Sequence, residues 1–122
     1  MSTTTRVIDN HLASFGRGDL EAILSDYAPG AVFVTPAGPL KGIDAIRPFF
    51  VDLLADFAKP GSSFELKHRT THGDHAYILW SGETADNRYD FATDTFVVRG
   101  GKIVAQSFAA KILPKDGLPA NR

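Results

Sequence analysis

Three polar side chains interrupt apolar patterns in this chain, and each is of a type that can bind or move protons. In "YDFATDTFVV", residues 89–98, strand-like alternation puts Tyr89, Phe91, Thr93, Thr95 and Val97 on one face and Asp90, Ala92, Asp94, Phe96 and Val98 on the other. Phe96 and Val98 mark the second face as dry. Asp94 is therefore a carboxylate bound for an apolar interior, which is costly unless it is paired, hydrogen-bonded or protonated. His11 breaks a helical stripe of Val7, Ile8, Leu12 and Phe15 in the same way. Gln106 intrudes on a strand face shared with Val104, Phe108 and Ala110. Histidine exchanges protons near neutrality without strong tuning, so His11 and Asp94 are the candidates for catalysis. The competing reading is a satisfied polar contact that only locks a helix onto a sheet.

The elements that would carry these residues fall in two blocks. The first half is helical: a helix through Phe15, a "GRGD" break, and a second helix with Asp19 as N-cap and a stripe of Leu20, Ile23, Leu24 and Tyr27. "PG" at 29–30 ends it, and "AVFVTP" (31–36) is a short strand stopped by Pro36, followed by a turn or small hairpin. A third helix aligns Ile46, Phe49, Phe50, Leu53, Leu54 and Phe57, with Pro48 predicting a kink or a separate turn over 43–47. After "KPGSS" come only strands, at 64–72, 76–84, 88–99 and 102–113, joined by turns short enough for an antiparallel meander. Helices followed by strands predict an α+β fold, one domain over 1–122, with residues 1–5 and 114–122 as loose tails.

Composition narrows the partners. With 43% hydrophobic and 22% charged residues, the chain is of ordinary globular type. Thirteen basic against fourteen acidic residues offer no lure for nucleic acid or an anionic membrane surface. No window approaches the roughly 18 apolar residues of a membrane span, and the start lacks a signal peptide's apolar core, so a cytoplasmic location is the default. Cysteine is absent, which excludes disulfides and thiolate chemistry. Nine Phe, three Tyr and one Trp can line a cavity as well as fill a core. Trp80 lies in "AYILWSGET", where both faces are apolar; the outer sheet face, at a dimer interface, is the preferred direction. His68 and His72 share a face but stand about 13 Å apart, too far for one ion. His72 and His75 flank a turn without an evident third ligand, so no metal is expected.

The order of these words resembles the nuclear transport factor two-like superfamily, to which ketosteroid isomerase and the SnoaL-like polyketide cyclases belong. "FGRGDLEAILSDYAPGAVFVTPAGPLKGIDAIRPFF" is similar to its amino-terminal half and "DTFVVRGGKIVAQSFAAKI" to its closing hairpin. The resemblance implies a cone: three helices on a strongly curved, mostly antiparallel sheet that encloses a pocket, with dimerisation through the outer sheet face. It places Asp94 where ketosteroid isomerase keeps a protonated aspartic acid, His11 at the oxyanion tyrosine, Thr35 at the general-base aspartate and Phe50 at a supporting tyrosine. Thr35 cannot abstract a carbon-bound proton, which argues against the familiar steroid isomerisation.

The same resemblance sets His11 beside Asp94 at the pocket floor, where the carboxylate would fix the imidazole's tautomer. Thr35 and Gln106 would add hydrogen bonds, and Phe33, Phe50, Phe96 and Phe108 would form apolar walls. Asp90 would lie at the mouth or in solvent near Arg88. The expectation is a cofactor-independent isomerase, cyclase or dehydratase acting on a small, apolar, carbonyl-bearing compound. The alternative is a non-catalytic domain that binds a hydrophobic ligand.

Overall fold

The computed structural model describes residues 2–115, and the expected tail from 116 onward lies outside them. Helix α1 (Thr3–Gly16) begins where the Ser2 hydroxyl accepts from the backbone N–H of Thr5 at 3.0 Å. Thr4, Val7, Ile8, His11 and Ser14 are its buried positions, one stripe at helical spacing. Residues 2–5, expected within a loose tail, are thus the cap and first turn of α1. The Thr4 hydroxyl donates to the carbonyl of Gly73 at 2.8 Å, tying the start of α1 to the sheet.

Asp19 caps the short α2 (Leu20–Leu24), its carboxylate accepting from the N–H of Ala22. This helix stops earlier than its stripe suggests, because Tyr27 already pairs with Ile103 of a strand. Strand β1 (Tyr27–Thr35) absorbs Pro29 and Gly30 in an irregular stretch before regular pairing resumes at Val32. Strand β2 (Gly38–Lys41) completes a small hairpin with β1. Helix α3 (Ile43–Phe57) runs through Pro48 as one helix. The carbonyl that Pro48 leaves without a donor belongs to Asp44, which is exposed and hydrated at little cost.

Strands β3 (Ser63–His72), β4 (His75–Glu83), β5 (Asn87–Arg99) and β6 (Lys102–Pro114) form the meander close to their expected bounds. Gly100 and Gly101, both at positive φ, make the tight β5–β6 turn that carries Arg99 onto Lys102. The sheet order is β2-β1-β6-β5-β4-β3, antiparallel except for the β1–β6 pair. The helices pack on one face of this curved, unclosed sheet, giving the expected α+β cone.

Register shifts at Leu66/His68, Trp80/Gly82 and Tyr89/Phe91 bend the far end of the sheet. The last of these turns Tyr89 inward, onto the face of Ala92 and Asp94 rather than that of Phe91. Its hydroxyl donates to Asp56 Oδ2 at 2.7 Å, which fastens α3 to β5. At Gly82 a Cβ would lie 2.8 Å from the Ser63 carbonyl oxygen and 3.1 Å from the Phe57 ring. Because the nearer obstacle is backbone, Gly82→Ala is expected to cost about 1–3 kcal/mol. A shifted denaturant midpoint would report that loss, and an unchanged one would show that the edge strand gives way freely.

Candidate functional site

The floor of the cone is a row of three strands with Asp94 at its centre. On β4, Trp80 pairs with Ala92; on β6, Gln106 pairs with Phe96. Each is two residues off Asp94 along the same inner face, the diagonal spacing that long side chains bridge. Trp80 Nε1 donates to Asp94 Oδ2 and Gln106 Nε2 donates to Asp94 Oδ1, both at 2.9 Å. The Tyr27 hydroxyl in turn donates to Gln106 Oε1. Trp80 is thus buried on the inner face, which corrects the expected outward direction, and its N–H finds its acceptor there in Asp94.

Asp94 has no cationic side chain in ion-pair contact among the described residues. Burial pushes its carboxyl above the ordinary 3.8, while Trp80, Gln106 and the nearby His11 pull the other way. The Tyr27 hydroxyl is held well above its usual value by burial, with Asp94 and Asp26 adding to the effect.

His11 hangs over this floor from α1. Its Nδ1 lies 3.3 Å from Asp26 Oδ2, in the loop between α2 and β1. A carboxylate accepts, so Nδ1 is the donor toward Asp26, and Nε2 is left as the nitrogen that can accept whenever the ring is neutral. Nε2 has no hydrogen-bond partner among the described residues, and the ring borders the hollow. Tyr27, Phe50 and Phe96 hold the imidazole edge-to-face at centroid distances of 5.5–5.8 Å.

The expected direct His11–Asp94 hydrogen bond is therefore replaced. Both residues border one hollow, but Asp94 is engaged along the sheet and His11 is engaged by Asp26. Asp26 escaped sequence reasoning because it sits between elements, where no periodicity marks a direction; its place beside Tyr27 in "SDYAPG" was the only cue.

Phe50, Phe96, Gln106 and Phe108 border the hollow with His11 and Asp94. Phe33 does not. It is fully buried behind them, 4.7 Å from the Phe49 ring, and belongs to the core. Thr35 is also absent from the lining. Its hydroxyl donates to the Gly38 carbonyl and accepts from the Ala37 N–H, closing the β1–β2 turn. Asp90 is exposed, with Arg88 at 3.7 Å. His68 contacts the Thr70 hydroxyl, and His72 pairs with His75 across the β3–β4 turn.

Aromatic rings crowd the hollow, leaving about 40 Å³ free. This is a polar-ended slot, wide enough for a few waters as it stands.

Helices closing a curved sheet over such a slot define the nuclear transport factor two-like class. Residues 8–106 match the SnoaL-like domain family, and the chain belongs to it. No curated protein matches the sequence. Among solved structures, a protein of this class from Mesorhizobium loti, of unknown function, is 23% identical, with 89% of this chain and 91% of that one covered and a TM-score of 0.75. A de novo designed protein with a curved β-sheet is 17% identical, covering 91% and 88%, with a TM-score of 0.76. TerC, co-crystallised with polyporic acid, is 19% identical, covering 90% and 92%, with a TM-score of 0.72. No helix among the described residues is long and apolar enough to cross a membrane.

The upward shift of Asp94 has a thermodynamic consequence. Between its unfolded and folded pKa values the native state binds more protons than the unfolded chain, so Asp94 makes stability fall as pH rises through that window. Asp94→Asn removes this slope. The melting midpoint of the variant minus that of the wild type should therefore increase from about pH 4 toward neutrality. A difference independent of pH would contradict the shift.

Proposed function

We propose that this SnoaL-like domain catalyses cofactor-independent proton transfer on a small, apolar, carbonyl-bearing compound, as an isomerase, cyclase or dehydratase. The observation that carries this reading is His11, held through Nδ1 by Asp26 with Nε2 free at the border of the slot. Nε2 would take a proton from carbon next to the carbonyl. Asp26 would stabilise the imidazolium that results. The substrate oxygen would sit at the floor, where Asp94 in its protonated form, favoured by burial, can donate to a developing oxyanion.

2-Tetralone in D2O, a flat ketone with exchangeable α-protons, tests the proposal without knowledge of the natural substrate. The wild type is expected to accelerate exchange above the buffer rate, followed by NMR. A rate equal to buffer, with 2-tetralone nevertheless bound, would favour the second reading, a domain that binds a hydrophobic ligand without turnover. One observation supports that second reading: Thr35 is committed to a turn, so no base stands at its position.

We further propose a homodimer through the outer sheet face, where Phe91 and Val34 are 46% and 47% exposed. Sedimentation equilibrium should give twice the chain mass; a monomer at every concentration would exclude it.

A further inference from the structure

The slot alone is too small for most metabolites, yet it does not end in solid core. Leu12, Phe15 and Phe64 border both the slot and a groove of about 350 Å³ on its far side. The Phe15 and Phe64 rings, 5.8 Å apart, stand between the two spaces. Phe64 also leans on Trp80, at 5.2 Å. It is the second residue of the edge strand β3 and is 39% exposed, so its ring has solvent on one side into which it can turn. With Phe64 turned aside, slot and groove join into a space of the few hundred Å³ typical of small-molecule sites.

The outer groove has its own chemistry. Gly16, Arg17 and Gly18 border it at the end of α1, and Ser62 and Ser63 border it at the start of β3. Arg17 is its single charged lining residue among those described. That guanidinium is only loosely engaged, with Ser14 Oγ at 3.4 Å and Asp19 at 4.0 Å, and more than half of the side chain is exposed. The C-terminal end of α1 is unfavourable to an anion, so any anion there must be held by the Arg17 side chain rather than by the backbone. Arg17 follows His11 by six positions, as the cap just past the end of α1.

From these observations, and resting on the pocket reading above, we infer that slot and groove form one elongated site for a flat amphipathic ligand. Its carbonyl or hydroxyl end lies at His11, Asp94 and Gln106, its apolar body passes the Phe15–Phe64 gate, and an anionic group at its far end meets Arg17. The ligand class is thus a planar hydroxy- or oxo-compound bearing a carboxylate at the end remote from its reacting group.

Calorimetric titration of the full chain with 2-naphthol and with 6-hydroxy-2-naphthoate tests the inference, since the two differ only in the distal carboxylate. The carboxylate should tighten binding about threefold to fivefold, in keeping with a half-exposed ion pair. Arg17→Gln and added salt should each cancel that advantage. Phe64→Ala should speed association of both compounds in stopped-flow measurements. If 2-naphthol binds but the carboxylate adds nothing, or its advantage survives Arg17→Gln, the outer subsite is overturned while the pocket reading stands. An association rate unchanged by Phe64→Ala overturns the gate. If neither compound binds, both readings fall.

Discussion

His11→Gln is expected to slow α-proton exchange from 2-tetralone by about 10²–10⁴-fold relative to the wild type, the usual contribution of a positioned general base. Asp26→Asn should lose about 10²-fold or more, although Asp26 lies outside the lining of the hollow. The reason is the tautomer. An asparagine amide can donate to Nδ1, which moves the imidazole proton to Nε2 and removes the lone pair that borders the slot. Asp26→Glu, which keeps an acceptor, should recover part of the rate. A purely structural role for Asp26 would make both substitutions costly to stability and indifferent to exchange, so melting and exchange are measured together.

Phe33→Ala should have the largest effect on stability, about 3–5 kcal/mol, because the ring is fully buried against Phe49 and Phe50 and its loss leaves a cavity. Affinity for 2-naphthol should change little, since Phe33 stands behind the lining rather than in it. Phe108→Ala should show the reverse balance: it is only partly buried, packs on Phe49 and borders the hollow. Denaturant titration and calorimetry on the two variants separate core from wall. Equal losses of affinity in both would put Phe33 back among the ligand contacts.

Most of the fold was legible because its signals are periodic. The alternation that put Asp94 with Phe96 and Val98 describes the inner face of β5, and the stripe holding His11 describes the buried face of α1. What alternation could not settle was a strand apolar on both faces. Trp80 turned inward because a buried indole N–H needs an acceptor and Asp94 supplies one two residues across the sheet. Bulges were invisible as well: the shift beside Asp90 brought Tyr89 inward against simple parity.

The resemblance guided the site less well than the periodicity did. It carried Thr35 to a catalytic position that this chain uses for a turn. It also paired His11 with Asp94, where the nearer acceptor for Nδ1 is Asp26. Three-dimensional proximity across the α2–β1 loop decides that pairing, and no spacing rule encodes it. The aromatic wealth of the composition had two uses, as expected, but only coordinates could assign each ring to core or wall.

The tautomer of His11 bears most directly on the proposed chemistry, because an unprotonated nitrogen at the slot is what any proton abstraction here needs. Two-bond nitrogen–proton correlation spectra of 15N-histidine-labelled protein, read with the ring neutral, should show hydrogen on Nδ1 and a bare Nε2 that switches in Asp26→Asn. Hydrogen on Nε2 in the wild type, or a pattern unmoved by that substitution, would contradict the account and leave a binding cavity without a base.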